Sequence, residues 1–284
     1  MNWFQALILG LVQGATELLP ISSSAHLIII PNILGWGENT LVFDTTLHLG
    51  TASALIIYFR KLIFRILVSL KSDYLTYGKK IYNYSSDSLL CFKIIAGTVP
   101  AGIVGFLFND LFEEKFRDIK YTVYFLILGT ILMFISQAVN DRKRKKDKDS
   151  SLNILTDEDN ITYSRSIFIG MFQILALFPG FSRSGSTISA GMLSGLKKYE
   201  AAKYSFLLSI PIVLAAGVFQ GLSSGEELFL LPIYIPIIGY ISSLLSGLLA
   251  IKFLLNFLNN HSLNLFIFYR LVLAASLLLF IPML

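Results

Sequence analysis

An all-α, polytopic membrane fold is what this sequence predicts, and three observations carry the prediction. Apolar stretches near the roughly 20 residues needed to cross a bilayer recur along the whole chain. Only 14% of the residues are charged against 55% hydrophobic, and the mean hydropathy is +0.69; soluble domains carry about a quarter charged residues. The basic residues fall mostly in the gaps between apolar runs, where they orient the loops of a membrane protein. The net charge of +5 therefore implies no nucleic-acid partner. A single cysteine, Cys91, excludes an intramolecular disulfide and a cysteine metal cluster. The N-terminus lacks the positive region of a signal peptide, so the first apolar segment is expected to stay in the mature chain.

Residues 2–12 are apolar but short, and a polar stretch at 10–26 interrupts the apolar run. Apolar character resumes at 27–34. Neither half is long enough to span, so a broken or re-entrant helix pair is expected. Irregular backbone at membrane depth is tolerated only where it is buried or lines a cavity. A span is expected over 41–59, then a mixed basic region over 60–93, then spans over 94–108 and 121–139, with a charge-balanced loop at 109–120 between them. Residues 141–164 open with a run of basic side chains and read as a solvated cytoplasmic loop. The two basic regions are separated by two spans, so both fall on one side, as the positive-inside rule requires.

The second half begins like the first. Residues 167–178 are a short apolar piece broken at Pro179-Gly-Phe-Ser-Arg-Ser-Gly185, followed by 187–196 and by spans over 204–222, 230–258 and 265–284. Pro232 and Pro236 place the start of the middle span near Ile237. Gly10-Leu-Val-Gln13 and Gly170-Met-Phe-Gln173 match, and each precedes a proline and a hydroxyl cluster. Paired broken helices in corresponding parts of two halves point to a site between them. The domain reading is a first membrane repeat over 1–140, a basic cytoplasmic loop over 141–164 and a second membrane repeat over 165–284.

The chemistry resides at the two breaks. A proline followed by Ser-Ser-Ser, or by Ser-Arg-Ser-Gly, and then a new helix presents free backbone N–H groups. Two such starts in one cavity, with Arg183 added, form a cradle for phosphate. Gln13 and Glu17 are four apart and share a helix face; Gly10 and Gly14, also four apart, let another helix approach. Glu17 reads as a base, a metal ligand, an orienter of His26 or a structural ion pair. Ser22, Ser23 and Ser24 lie beside the base His26, as nucleophilic catalysis needs. Ser182, Arg183, Ser184 and Thr187 are donors for anionic oxygens. Arg270 completes the clamp or snorkels to an interface. His48 and His261 read as structural or interfacial, Lys93 and Lys252 as membrane-edge residues. The absence of a Walker loop and of His-Glu-x-x-His argues against ATP use and a zinc protease.

At these residues the chain resembles the undecaprenyl-diphosphate phosphatases of the bacitracin-resistance type. The motifs are Gln13-Gly-Ala-Thr-Glu17-Leu-Leu-Pro-Ile-Ser-Ser-Ser-Ala-His26 and Pro179-Gly-Phe-Ser-Arg-Ser-Gly-Ser-Thr187, with weaker matches at Phe43-Asp44, Leu47-His48-Leu49-Gly50, 205–211 and Tyr269-Arg270. The resemblance implies two inverted repeats, each a broken helix pair followed by transmembrane helices. It further implies a diphosphatase of the bacterial cell membrane, with its site toward the outer face, that regenerates the monophosphate lipid carrier of cell-wall synthesis. A divalent cation, Mg2+ or Ca2+, goes with that activity, as do a polyprenyl diphosphate substrate and membrane lipids as partners; a homodimer is allowed for. By position, Glu17, Ser23, His26 and Arg183 are the expected catalytic residues, with Glu17 also the metal ligand. Gln13, Ser22, Ser182, Ser184, Thr187 and Arg270 are the expected substrate-binding residues. Gln13 stands where many members have glutamate, which leaves Glu17 the sole carboxylate of its motif. Ser23 is the preferred nucleophile and His26 the alternative. A lipid-carrier transporter or flippase is the rival function, and a structural partner of an envelope complex a third.

Overall fold

Every regular element among the described residues is helical. The structure, a computed structural model, describes residues 1–37, 39–108, 111–112, 115–116, 118–147, 161–224 and 231–280. In chain order the helices are α1 (Trp3–Leu18), α2 (Ser23–Ile33), α3 (Leu41–Tyr58), α4 (Arg60–Tyr77), α5 (Ser86–Leu107), α6 (Ile119–Asp147), α7 (Tyr163–Gln173), α8 (Arg183–Leu193), α9 (Lys198–Ser224), α10 (Tyr234–Asn260) and α11 (Asn264–Phe280). Five of them, α3, α5, α6, α9 and α10, are long and apolar enough to cross a membrane. The chain is a multi-pass all-α membrane protein.

Both expected breaks are present. The first half of each pair ends in front of its hydroxyl cluster, and α2 and α8 start inside the clusters. α1 runs further than hydropathy alone suggests, because Gln13, Thr16 and Glu17 are all buried on its inner face. Its start is fixed by a capping box in which Asn2 and Gln5 satisfy each other's backbone N–H groups.

Several boundaries differ from expectation. Much of the mixed region 60–93 is helix α4, whose Leu62 and Ile66 lie four apart on one buried face while Phe64, Leu67 and Leu75 are exposed. α5 begins at Ser86, capped by Ser85, and carries the half-buried Lys93 inside it. α10 begins at Tyr234, ahead of Ile237, because Pro236 falls in its first turn, where a missing N–H costs nothing. α6 continues to Asp147, so the basic segment opens as helix; its residues 148–160 lie outside the described residues.

Close helix contacts hold the two breaks in place. α1 packs along α10, and a Cβ built on Gly14 would lie 2.7 Å from the Gly247 backbone nitrogen, so only glycine permits this approach. α7 packs on α5 in the same way, where a Cβ on Gly170 would meet the Gly97 carbonyl oxygen. The main apolar core, with Leu18, Leu55, Met133, Ile188, Phe206 and Leu254, joins α1, α3, α6, α8, α9 and α10 behind the breaks.

Outside the spans, Asp73 of α4 ties that helix to the start of α5. It accepts from Ser88 Oγ at 2.6 Å, Ser85 Oγ at 2.7 Å and Ser85 N at 2.8 Å. These bonds favour the carboxylate and lower its pKa from the ordinary 3.8. A depressed folded pKa stabilises above the unfolded value and loses that contribution as pH falls through the folded value. Asp73→Asn is therefore expected to lower the melting temperature at neutral pH, and the difference from the parent is expected to shrink as pH drops below 3.8. Melting curves of both proteins in detergent across pH check this.

Candidate active site

Each break ends in a hydroxyl cap with unusual backbone. Ser22 caps α2 by accepting from Ala25 N, and Ser182 caps α8 by accepting from Gly185 N at 3.1 Å. Their φ values are +74° and +78°, the only positive values among described non-glycine residues. Such backbone costs on the order of 1–3 kcal/mol and collects at functional sites. The loops also brace each other: Gly180 N donates to Ser24 Oγ at 3.1 Å, and Ser184 Oγ donates to Leu19 O at 3.0 Å. The two helix starts are thereby locked side by side.

Glu17 is the hub between them. Arg183 Nη2 donates to its Oε1 at 2.6 Å, Ser23 Oγ donates to its Oε2, and Gln13 Nε2 donates to Oε2 at 3.1 Å. This brings a carboxylate, a hydroxyl, a carboxamide and a guanidinium from two distant motifs into one buried cluster. Ser23 and Arg183 are both held on the Glu17 carboxylate, an arrangement that phosphoryl transfer through a hydroxyl can use.

His48, read from sequence as structural or interfacial, is part of this cluster. Its Nδ1 lies 2.9 Å from Gln13 Nε2 and 3.4 Å from Glu17 Oε2. His48 Nδ1 thus faces both the Gln13 carboxamide and the Glu17 carboxylate. Sequence reasoning missed it because α3 reaches the site only through the fold.

Five expected site residues, His26, Arg270, Thr187, Ser184 and Ser22, are engaged within the protein. His26 is separated from Ser23: its Nδ1 donates to Ser22 O at 2.7 Å, so its Nε2 accepts from Tyr269 Oη at 2.6 Å. Its ring stacks on Tyr269 and supports the loop. Arg270, fully buried, donates to Thr130 Oγ1 at 2.8 Å, Leu126 O at 2.9 Å and both Gly180 O and Phe181 O at 3.1 Å, with Pro20 O at 3.5 Å. It does not snorkel; it gathers the carbonyls of both breaks. Thr187 Oγ1 donates to Arg183 O at 2.7 Å and lies 2.6 Å from Ser205 Oγ. Ser184 is spent on Leu19. Ser22 serves as the cap, and Ser182 both caps and lines the cavity.

That cavity has a volume of about 290 Å³ and is lined by Glu17, Ser23, Ser182 and Arg183, with His48 and Gln173 on its walls. It continues past Ser24, Thr45 and His48 into a groove of about 590 Å³ with apolar walls, among them Leu27, Ile28, Phe106, Pro179, Ile212 and Phe219. A chamber with polar groups gathered at one end and apolar walls leading into a groove suits a ligand with a charged head and a hydrocarbon tail.

A divalent cation meets a limited donor set. Among the described residues no group of three or more His, Cys, Asp or Glu side chains could hold one. Gln13 Oε1, however, is buried without a partner, on the carboxamide whose Nε2 donates to Glu17. A carboxylate and a neutral amide oxygen fit a hard cation that takes its other ligands from phosphate and water.

Fold and site together define a multi-pass membrane protein with an acid–hydroxyl–arginine centre between two broken helices. A family model described as "Bacitracin resistance protein BacA" matches residues 6–276. The chain is 42% identical over 284 residues to an undecaprenyl-diphosphatase of Geotalea daltonii, covering 99% of each chain. It is 40% identical over 283 residues to one of Pelobacter propionicus, covering 96% of this chain and 94% of that one. One of Caldicellulosiruptor bescii is 40% identical over 280 residues, covering 99% and 98%. The chain belongs to the BacA bacitracin resistance family.

Proposed function

We propose that this protein is an undecaprenyl-diphosphatase of the bacterial inner membrane, releasing phosphate from undecaprenyl diphosphate at a site open to the outer face. By returning the monophosphate carrier to cell-wall synthesis it confers bacitracin resistance. The observation that carries the reading is the Glu17–Ser23–Arg183 cluster at the head of an apolar groove. The diphosphate enters the chamber and the isoprenoid chain lies along the groove. Arg183 turns from Glu17 to the phosphate oxygens, joined by Ser182 and the free N–H groups at the helix starts. Glu17 takes the Ser23 proton as Oγ attacks the terminal phosphorus. The bond to the bridging oxygen breaks and the polyprenyl monophosphate leaves with the electron pair. Water then hydrolyses the phosphoseryl group and regenerates Ser23. Mg2+ or Ca2+ held by Glu17 and Gln13 Oε1 would neutralise diphosphate charge.

A flippase has no use for a hydroxyl held on a buried carboxylate, which is why hydrolysis is preferred. Purified protein in detergent is expected to release phosphate from a polyprenyl diphosphate with Mg2+ or Ca2+ present. No release, together with lipid transfer across the bilayer of proteoliposomes, would establish the transporter.

A further inference from the structure

Among the described residues, Gln173, the last residue of α7, is the one cavity-lining carboxamide whose two ends both lack a partner. It is 2% exposed, and neither Nε2 nor Oε1 has a hydrogen-bond partner in the protein. Buried carboxamides are normally satisfied, because a donor or acceptor taken out of water without a partner keeps its full desolvation penalty. The chain tolerates this at the wall of the chamber that also holds Glu17, Ser23 and Arg183.

The position adds a second argument. Gln173 closes Gly170-Met-Phe-Gln173 as Gln13 closes Gly10-Leu-Val-Gln13. Gln13 spends its amide on Glu17 and His48, within the protein. Its counterpart has no carboxylate to serve. α7 gives way there to a 3₁₀ turn, Ile174–Leu177, that leads into the Pro179 break. The side chain is thus fixed at the foot of the arm that carries Ser182 and Arg183.

We infer that Gln173 is a substrate-binding residue whose Nε2 donates to a phosphate oxygen in the chamber while Oε1 accepts from a chamber water or a protonated phosphate oxygen. Phosphate supplies acceptors in every direction, and the adjacent Arg183 supplies the charge that brings it there. The amide stays unsatisfied in the empty protein and is satisfied on binding, so stability is traded for affinity at this position. The inference rests on the diphosphatase reading for its lipid substrate, but its ligand is the phosphate group itself and can be tested with inorganic pyrophosphate.

Gln173→Met keeps the volume and removes both unmet groups. The ligand-free variant is expected to melt at the parent's temperature or a few degrees above it. The rise in melting temperature that pyrophosphate gives the parent is expected to be lost, and KM for polyprenyl diphosphate is expected to rise about tenfold or more with a smaller change in kcat. A variant that fails to fold, or melts well below the parent without ligand, overturns the inference by showing that the amide supports the fold; Gln173→Leu checks that against the shape of methionine. An unchanged pyrophosphate shift and unchanged KM overturn it as well. A parent shift that Gln173→Met abolishes, with no hydrolysis by either protein, upholds the phosphate ligand and rejects the phosphatase. Hydrolysis by a variant with parental binding rejects Gln173 alone.

Discussion

Replacing Ser23 by alanine is expected to lower phosphate release at least about a thousandfold, because the attacking atom itself is removed. The fold should survive the change. Ser23 Oγ bonds only to Glu17, and Glu17 retains Arg183 and Gln13. The Ser22 cap and the Ser24–Gly180 brace are untouched. Kinetics of purified Ser23→Ala protein, with its melting temperature as a control, check the assignment. A normal melting temperature with lost turnover places the defect in chemistry. His26→Ala offers no substitute explanation for such a result, since His26 contacts the Ser22 carbonyl and Tyr269 rather than Ser23.

Arg183→Ala is expected to produce the other large loss, about a thousandfold in kcat/KM, the scale of an arginine that stabilises phosphoryl transfer. A second effect goes with it. The guanidinium is the closest cation to Glu17, at 2.6 Å, and deleting one partner of a buried pair costs about 3–5 kcal/mol by stranding the other charge. The variant should therefore be both less stable and less active. Arg183→Lys separates the two effects, because lysine restores the charge but not the planar fork that grips phosphate. It is expected to recover much of the melting temperature and little of the activity. Parallel melting and phosphate-release measurements on the two variants resolve them.

The legible part of this protein was the part encoded locally. Proline followed by consecutive hydroxyls marked both breaks, and the Glu17 and Arg183 charges inside apolar sequence marked the hub. Gly10 and Gly14 announced a close helix, and α10 supplies it. What escaped depends on partners distant in sequence. Arg270 carries the same charge as Arg183, but backbone carbonyls at both breaks and on α6 surround it, so it ties the loops together. His26 sits three residues from Ser23, yet the turn of α2 aims it at Tyr269. Thr187 lies one turn into α8 and is used to join α9 through Ser205. His48 enters the site from α3, 35 residues beyond Gln13. The sequence signal for Gln173 was its match to Gln13 in the two Gly-x-x-Gln segments; only the packing revealed that its amide has no partner. α4 was obscured because its basic residues masked a narrow apolar face, Leu62 and Ile66.

The central claim is that a serine held on Glu17 becomes phosphorylated while Arg183 holds the phosphate. Its most direct test is to mix enzyme with a polyprenyl diphosphate labelled in the terminal phosphate, quench halves of the mixture in acid and in alkali within one turnover, and map the labelled peptide. Phosphoserine survives acid and is lost in alkali, whereas phosphohistidine behaves in the opposite way. Acid-stable label is expected on the peptide containing Ser23 and none in Ser23→Ala protein. Alkali-stable, acid-labile label at His26, or unimpaired turnover by Ser23→Ala, would contradict it.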